Sequence, residues 1–259
     1  MSNYRITVRY DGARYKGWQR LGKDAGGDSI TSKLESVLSL LCDEDVRVIG
    51  SGRTDAGVHA MGQVANFHTE RKLSGGEILE YAARYLPDDI AVVAAEKADD
   101  RFHARYQVTE KSYIYRIDTG LYPDPFQRKY AWHISESLDY AAMRQAADLL
   151  TGTHDFGGFT SIKSKTKSTE RNLTRIEIEE PPSEENPFAI IRFTGEGFLH
   201  NMVRIITGTL VEAGLGSRSV GTISEILKSG QREDAGAKAP AKGLFLEKVL
   251  YGTLEMYTK

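Results

Sequence analysis

The chain has 259 residues, of which 40% are hydrophobic and 27% charged, and its formal net charge at pH 7 is -2. No stretch approaches the roughly 20 apolar residues that a membrane-spanning helix needs, and the first residues lack the pattern of a signal peptide. A single cysteine, Cys42, excludes an intrachain disulfide and a zinc site built from cysteines. We therefore expect a cytoplasmic protein in which Cys42 is a buried thiol.

The first hundred residues predict the order strand, helix, strand, strand, helix, strand. Alternating residues over 4–10 predict the first strand, and apolar residues at helical spacing from Ile30 to Leu41 predict a helix capped by Ser29 or Thr31. The remaining predicted elements of this half are strands at 46–49 and 63–69, a helix at 74–85 and a strand at 90–95. This order is typical of ferredoxin-like domains.

The second half shows a similar succession of elements, without a sequence repeat that would prove a duplication. Its predicted elements are strands at 112–119 and 130–134, a helix at 138–150, strands at 173–179 and 188–194, helices at 199–213 and 220–229, and a strand at 244–251. A polar loop is expected at 153–166 and a loop of small residues at 236–243. The length and this arrangement predict two domains, over residues 1–104 and 105–259.

Basic residues are concentrated in three segments although the net charge is close to zero. The segments are residues 1–23, 101–111 and 163–175. Local clusters of this kind can neutralise phosphates while the total charge stays small. Ordinary solvated faces explain the same pattern equally well, so charge by itself leaves nucleic-acid binding open.

Residues 50–60, Gly-Ser-Gly-Arg-Thr-Asp-Ala-Gly-Val-His-Ala, form the most distinctive segment of the chain. Three glycines within eight residues let the backbone adopt positive φ and approach another group closely, which can hold Asp55 at a fixed angle. An ionised carboxylate held in this way can act as a nucleophile or a base. The nucleotide-binding fingerprints do not fit, because one glycine is misplaced and no Lys-Ser/Thr pair follows. Asp55 is the leading catalytic candidate, and a surface carboxylate in a glycine turn is the alternative.

Three other residues can take either a structural or a functional role. Arg204 lies within an apolar helical sequence, where it is either exposed on one face or paired with a carboxylate that needs a cation. Tyr113 and Tyr115 share one face of a predicted strand, where they either fill the core or stack on a nucleobase. The six histidines show no metal-ligand spacing, so we expect no metal site.

Residues 52–60 resemble the active-site signature of the tRNA pseudouridine synthase A family. Other segments resemble this family in order and spacing, namely residues 10–12, 16–20, 102–105, 111–115, 198–204 and 243–246. One departure is Asp-Phe-Gly-Gly-Phe at 155–159, where the family pattern has Asp-Phe-Thr-Ser-Phe. The additional glycines predict a looser loop at the substrate face.

The resemblance implies an α+β fold in which two ferredoxin-like, RRM-like α/β halves join antiparallel sheets around a central cleft, the pseudouridine synthase fold. It implies an isomerase that converts uridine to pseudouridine at positions 38, 39 and 40 in the anticodon stem-loop of tRNA. It also implies a homodimer that uses no metal or other cofactor. A non-catalytic RNA-binding or RNA-folding protein on the same scaffold is the alternative.

The resemblance also implies a role for individual residues. Asp55, in the first domain, is the expected nucleophile, attacking the ribose C1′ or the uracil C6. Arg204 is expected to form an ion pair with this nucleophile, and Tyr113 to stack on the target base and assist removal of the C5 proton, so the second domain would complete the active-site cleft. Leu244 is expected beneath the base and Arg53 near the backbone of the flipped nucleotide. The other expected RNA-binding residues are His59, Arg14, Lys16, Arg20, Lys163, Lys165 and Lys167.

Overall fold

The computed structural model describes residues 1–20, 27–161 and 168–252. The chain forms two compact units, one made of residues 1–109 together with the chain from Phe245, the other of residues 110–244. The division differs from the expected boundary after residue 104 chiefly at the final strand. From Phe245 onwards that strand belongs to the first unit, where Phe245 and Leu246 pair with a strand of that unit.

The described residues form ten strands and five α-helices. In chain order they are β1 (Ser2–Tyr10), α1 (Ile30–Cys42), β2 (Ile49–Gly50), β3 (His59–Thr69), α2 (Gly75–Tyr85), β4 (Ile90–Ala98), β5 (Val108–Asp118), β6 (Trp132–His133), α3 (Tyr140–Asp148), β7 (Gly152–Asp155), β8 (Glu170–Glu179), β9 (Phe188–Gly195), α4 (Met202–Gly214), α5 (Thr222–Ser229) and β10 (Leu244–Tyr251). None of the helices in the described ranges is long and apolar enough to cross a membrane.

In the first unit, β1 lies between β3 and β4 and is antiparallel to both. The strands β2 and β10 pair with separate stretches of β3, β2 antiparallel and β10 parallel. The predicted order of strands and helices is therefore confirmed for this unit. Both helices begin where the sequence indicates, because Ser29 accepts a hydrogen bond from the Ser32 amide and Ser74 forms a capping box with Glu77.

The strand expected at residues 46–49 is wrong for its first three residues. The backbone amides of Val46 and Val48 donate instead to side chains of α1, to Ser39 Oγ at 2.9 Å and to Glu35 Oε1 at 3.1 Å. Apolar, β-branched residues here are buried without forming a ladder. The short β2 that follows leads directly into the glycine-rich segment.

In the second unit, β9 lies between β5 and β8, and β7 pairs with β8, all antiparallel. The strand β6 pairs parallel with β5, and α3 packs against α4 and β8. The loop expected from residue 153 is wrong at its start, because residues 152–155 form β7. These polar residues pair with β8 along an edge, so their strand carries no apolar alternation that the sequence could reveal.

The glycines of the departing segment 155–159 are closely packed, and the expected looser loop is wrong. Gly157 and Gly158 lie in a 3₁₀ turn over Gly157–Phe159. A side-chain carbon added at Gly158 would lie 2.9 Å from Ile226 Cγ2 and 3.1 Å from the Gln231 carbonyl oxygen. Glycine at 158 therefore permits close contact with α5 and the turn after it. The expected α+β fold class is confirmed by these mostly antiparallel strands and the helices between them.

Candidate active site

Asp55 is half-buried in the loop that joins β2 to β3. The Val58 amide donates to the Asp55 carbonyl oxygen at 3.1 Å and closes a tight turn around it. Gly57 within this turn has a φ of 77°, which glycine adopts without the strain that another residue would suffer. The glycine density noted in the sequence thus serves the turn that carries Asp55.

Gln63 of β3 holds the first part of this loop from within the protein. Its side chain is 0% exposed. Its Oε1 accepts a hydrogen bond from Ser51 Oγ at 2.6 Å, and its Nε2 donates to the Gly52 carbonyl oxygen at 3.0 Å. Gln63 was not predicted as a site residue, and its one signal in the sequence is an amide side chain on the inward face of a predicted strand.

The residue before Asp55 is tied to the segment that follows β1. Thr54 Oγ1 lies 2.8 Å from the Tyr10 hydroxyl, and the Thr54 carbonyl oxygen accepts from the Trp18 amide at 3.0 Å. Burial raises the pKa of Tyr10, so its hydroxyl is neutral. Gly17, with a φ of 98°, lies so close that an added side-chain carbon would be 2.6 Å from the Thr54 carbonyl oxygen. Two segments that resemble the family signature are therefore packed together in the first unit.

His59, expected to bind RNA, lies inside the first unit with 1% of its surface exposed. Its Nδ1 accepts a hydrogen bond from the Gly12 amide at 3.0 Å, and its ring stacks on Phe245 with centroids 4.6 Å apart. Gly12 approaches the Asp55 loop so closely that an added carbon would be 1.9 Å from the Val58 carbonyl oxygen. At this position, His59 supports the turn after β1 from below the surface.

The cations of the first unit that were expected to bind RNA are on the surface. Arg14, whose side chain is 74% exposed, lies 2.7 Å from Asp89, and Lys16 lies 3.0 Å from Asp28. The pair of Lys16 is exposed on both sides, and ion pairs of this kind contribute little to stability, so this cation can exchange one anion for another. Arg20 and Arg53 are also exposed. Lys163, Lys165 and Lys167 lie outside the described residues.

In the second unit, Arg204 is half-buried on α4 and is not simply presented on an exposed face. Its Nε donates to the Ala239 carbonyl oxygen at 2.8 Å, and its Nη1 donates to Asn201 Oδ1 at 3.2 Å. The sequence had left exposure and pairing open for Arg204. The structure gives it hydrogen-bond partners on two segments of this unit.

The two tyrosines of β5 are both buried. Tyr113 is 8% exposed and contacts Phe198 edge-on, with ring centroids 5.0 Å apart. The Tyr115 hydroxyl donates to the Pro240 carbonyl oxygen at 2.8 Å, and burial raises the pKa of this group. Tyr115 is therefore a core residue, whereas Tyr113 belongs to a cluster that includes the segment leading into α4.

Leu244 is buried at the end of the second unit. It follows a 3₁₀ turn over Ala241–Gly243, in which an added carbon at Gly243 would lie 2.7 Å from the Tyr115 ring. The segment that contains Leu244 is thus packed directly on β5. Within the described ranges, no group of three or more His, Cys, Asp or Glu side chains could hold a metal ion.

Comparison with known proteins identifies the class to which this fold and site belong. The family model described as tRNA pseudouridine synthase matches residues 6–107 and 146–252. The tRNA pseudouridine synthase A 2 of Bacillus anthracis is 45% identical over 249 residues, which cover 96% of this chain and 99% of the relative. The tRNA pseudouridine synthase A of Bacillus sp. (strain KSM-64) is also 45% identical, over 97% of this chain and 100% of the relative.

A further relative, the tRNA pseudouridine synthase A 2 of Clostridium tetani, is 41% identical over 96% of this chain and 98% of its own length. These matches extend through both units. The chain therefore belongs to the tRNA pseudouridine synthase A family, a family of isomerases.

Proposed function

We propose that this protein isomerises uridine to pseudouridine at positions 38, 39 and 40 in the anticodon stem-loop of tRNA, with Asp55 as the nucleophile. The coarser activity, conversion of uridine to pseudouridine in tRNA, follows from membership of the family. The assignment of Asp55 is supported chiefly by its loop, which hydrogen bonds tie to β3 on one side and to the segment after β1 on the other. A carboxylate held in this way needs little reorganisation when the substrate binds.

The chemistry requires one nucleophile and the movement of two protons. The Asp55 carboxylate attacks the ribose C1′ or the uracil C6, and the bond between C1′ and N1 breaks. After the base turns, C5 bonds to C1′, and the bond between Asp55 and C1′ or C6 breaks, which regenerates the carboxylate. The C5 proton leaves and N1 gains a proton. Nothing is oxidised or reduced, so the atoms balance without a co-reactant. The target base must first leave its stack at a cost of a few kcal/mol, which contacts in the site must offset.

In this proposal the second unit supplies the groups that assist Asp55. Arg204 forms an ion pair that keeps the nucleophile charged, since a nearby cation favours the ionised form of a carboxylate. Tyr113 stacks on the target base and takes part in removal of the C5 proton. Leu244 packs beneath the base and helps to exclude water. The fixed positions of Tyr113 against Phe198, and of Leu244 beside the packed turn, support these assignments.

The proposed tRNA contacts use exposed cations of the first unit. Arg14, Lys16, Arg20 and Arg53 are exposed and would neutralise phosphates, with affinity falling as salt rises. Lys163, Lys165 and Lys167 are proposed to add to this basic surface. We further propose that the protein acts in the cytoplasm as a homodimer, as the resemblance to the family implies.

Tritium release from a tRNA transcript labelled at C5 of uridine tests the proposal directly. Wild-type protein is expected to release tritium to water, whereas Asp55→Asn releases none and still binds the tRNA. Normal release by Asp55→Asn would overturn the nucleophile assignment. Binding without release by the wild type would favour the RNA-binding alternative, and transcripts with single uridine replacements at 38, 39 or 40 test the proposed positions.

A further inference from the structure

Asn201, the residue before α4, has an unusual backbone conformation. Its φ is 60°, and Asp43 is the other non-glycine residue with positive φ in the described part of the chain. Side chains disfavour this region, although asparagine tolerates it better than most residues. The conformation also stops α4 from starting at residue 199, as the sequence had predicted, because the helix can begin only after Asn201.

The side chain of Asn201 is not used for the task that asparagine usually performs at this position. At a helix start its oxygen ordinarily accepts a hydrogen bond from an amide in the first turn. Among the described residues, its side chain makes no such capping bond. Asn201 Oδ1 instead accepts from Arg204 Nη1 at 3.2 Å, and Asn201 Nδ2 donates to Ser161 Oγ at 2.9 Å.

This arrangement determines which way the amide of Asn201 is turned. A guanidinium can only donate, so the oxygen of the amide must face Arg204 and the nitrogen must face Ser161. The segment that carries Ser161 is itself attached, since Thr160 Oγ1 and the Ser161 amide both donate to the His200 carbonyl oxygen, at 3.1 and 3.4 Å. Asn201 itself is 8% exposed, so its side chain is largely removed from water.

A second acceptor holds Arg204 from another segment. Its Nε donates to the Ala239 carbonyl oxygen at 2.8 Å, and the Ala239 amide donates to the Arg204 carbonyl oxygen at 3.1 Å. The chain at Ala237 lies so near α4 that an added carbon at Gly208 would be 1.7 Å from the Ala237 carbonyl oxygen. The Arg204 guanidinium is therefore oriented by two acceptors, one on Asn201, which precedes it in the sequence, and one on Ala239, which follows it.

We propose that Asn201 is a positioning residue for the reaction, which orients the Arg204 guanidinium while Ser161 orients Asn201. The inference rests on the role of Arg204 in the proposed function. A flexible arginine side chain samples many rotamers, so a charge that must face a reacting carboxylate benefits from being held before substrate binds. Positive φ at residue 201 lets the side-chain amide of Asn201 face Arg204 rather than the backbone amides in the first turn of α4.

Asn201→Gly provides the main test, because glycine adopts the positive φ without strain and removes the side chain that carries the amide. We expect kcat for tritium release to fall about tenfold to a hundredfold, as when a group close to the reaction is misplaced, with the Kd for tRNA and the melting temperature nearly unchanged. Asp43→Gly is the matched control, since Asp43 is exposed and has a φ of 56°. It is expected to leave all three quantities unchanged.

Coupling to Arg204 separates positioning from a general structural effect. In an Arg204→Lys background, Asn201→Gly is expected to add little further loss of kcat, because residues that act as a unit are not additive. Ser161→Ala, a change at an exposed residue that leaves the fold intact, should lower kcat in the same direction by a smaller factor. Fully additive losses of kcat would overturn the inference.

The outcomes also distinguish this inference from the function on which it rests. Wild-type kcat in Asn201→Gly together with a low kcat in Arg204→Lys would overturn the positioning role alone. Wild-type kcat in Arg204→Lys would overturn the inference, because no oriented guanidinium would then be needed, whereas wild-type kcat in Arg204→Ala would overturn the proposed role of Arg204 as well. Activity in Asp55→Asn is measured in parallel and tests the nucleophile separately. If Asn201→Gly lowers the melting temperature, its kcat no longer separates positioning from stability, and Ser161→Ala is used in its place. An unchanged kcat in Ser161→Ala would then overturn the proposal.

Discussion

Thr54 Oγ1 lies 2.8 Å from the hydroxyl of Tyr10, so the residue next to the proposed nucleophile is joined to the last residue of β1. Both partners are buried, and burial keeps the Tyr10 hydroxyl neutral by raising its pKa. A neutral phenol and a threonine hydroxyl can each donate or accept, so this contact is satisfied without a charge. The position of Asp55 therefore depends on the sheet of the first unit as well as on its own turn.

Removal of the Tyr10 hydroxyl should lower both the stability of the protein and the rate of the reaction. Tyr10→Phe keeps the ring, leaves Thr54 without this partner, and is expected to lower the free energy of unfolding by about 1 to 2 kcal/mol. The expected kcat is lower and the Kd for tRNA unchanged. Urea unfolding and tritium release measure these effects. Tyr106→Phe, at a residue that is 73% exposed, is the control and should change stability by less than about 0.5 kcal/mol.

A change of one atom in Gln63 should disturb the Asp55 loop on the side that Gln63 holds at Gly52. Gln63→Glu keeps the size of the side chain but replaces the donor to the Gly52 carbonyl oxygen with an acceptor. We expect a loss of about 1 to 3 kcal/mol in stability, because the Gly52 carbonyl oxygen loses its partner and a carboxyl group is buried in place of the amide, and a reduced kcat. Gln231→Glu on the surface is the matched control. Equal kcat values for the two variants would contradict the supporting role of Gln63.

Arg14→Ala should weaken tRNA binding without affecting the chemical step. Loss of one phosphate contact is expected to reduce the slope of log K against log salt by about 1, whereas kcat at saturating tRNA stays constant. Arg144→Ala removes a comparable surface arginine that pairs with Glu180 at 2.7 Å and should not alter the slope. Filter binding over a series of salt concentrations provides the measurement, and identical slopes for both variants would argue against Arg14 as an RNA contact.

The protein should lose stability in strongly alkaline solution as buried phenols are forced to ionise. Burial, together with a hydrogen bond to Asp89, raises the pKa of Tyr15 from 10.0 to about 12, and burial raises the pKa of Tyr115 and Tyr251 as well. The folded state favours the neutral phenols. The contribution of these buried phenols to the free energy of unfolding is therefore complete below pH 10 and is lost as pH rises from 10 towards 12.

Tyrosinate absorbance followed together with unfolding checks this expectation. The absorbance of the buried tyrosinates should appear only as the protein unfolds. In Tyr15→Phe the decline in stability between pH 10 and 12 should be shallower. A single titration of all tyrosines near pH 10 with the fold intact would contradict the prediction.

Much of the fold could be predicted because its signals are local. Alternation along β1 and the spacing of Ile30, Leu34 and Leu38 along α1 reflect the periods of a strand and a helix, and both elements are confirmed. Cys42 is buried, as expected. Membership of the tRNA pseudouridine synthase A family, indicated by residues 52–60, is also confirmed. The roles of Asp55, Arg204 and Tyr113 remain predictions.

The sequence by itself therefore determined the order of elements in the first unit, the loop that carries Asp55 and the family. Only the tertiary structure decided what holds the site residues, because those contacts join segments far apart in the chain. The acceptor beside Arg204 is the backbone carbonyl oxygen of Ala239. Every residue carries such a carbonyl group, so the sequence gives no sign of which one is used. The sequence predicts that Asn201 is an ordinary helix residue, whereas in the structure it has a φ of 60° and donates a hydrogen bond to Ser161. Which polar group meets which is set by the packing of segments, and hydrogen bonds of this kind leave no periodic pattern in a sequence.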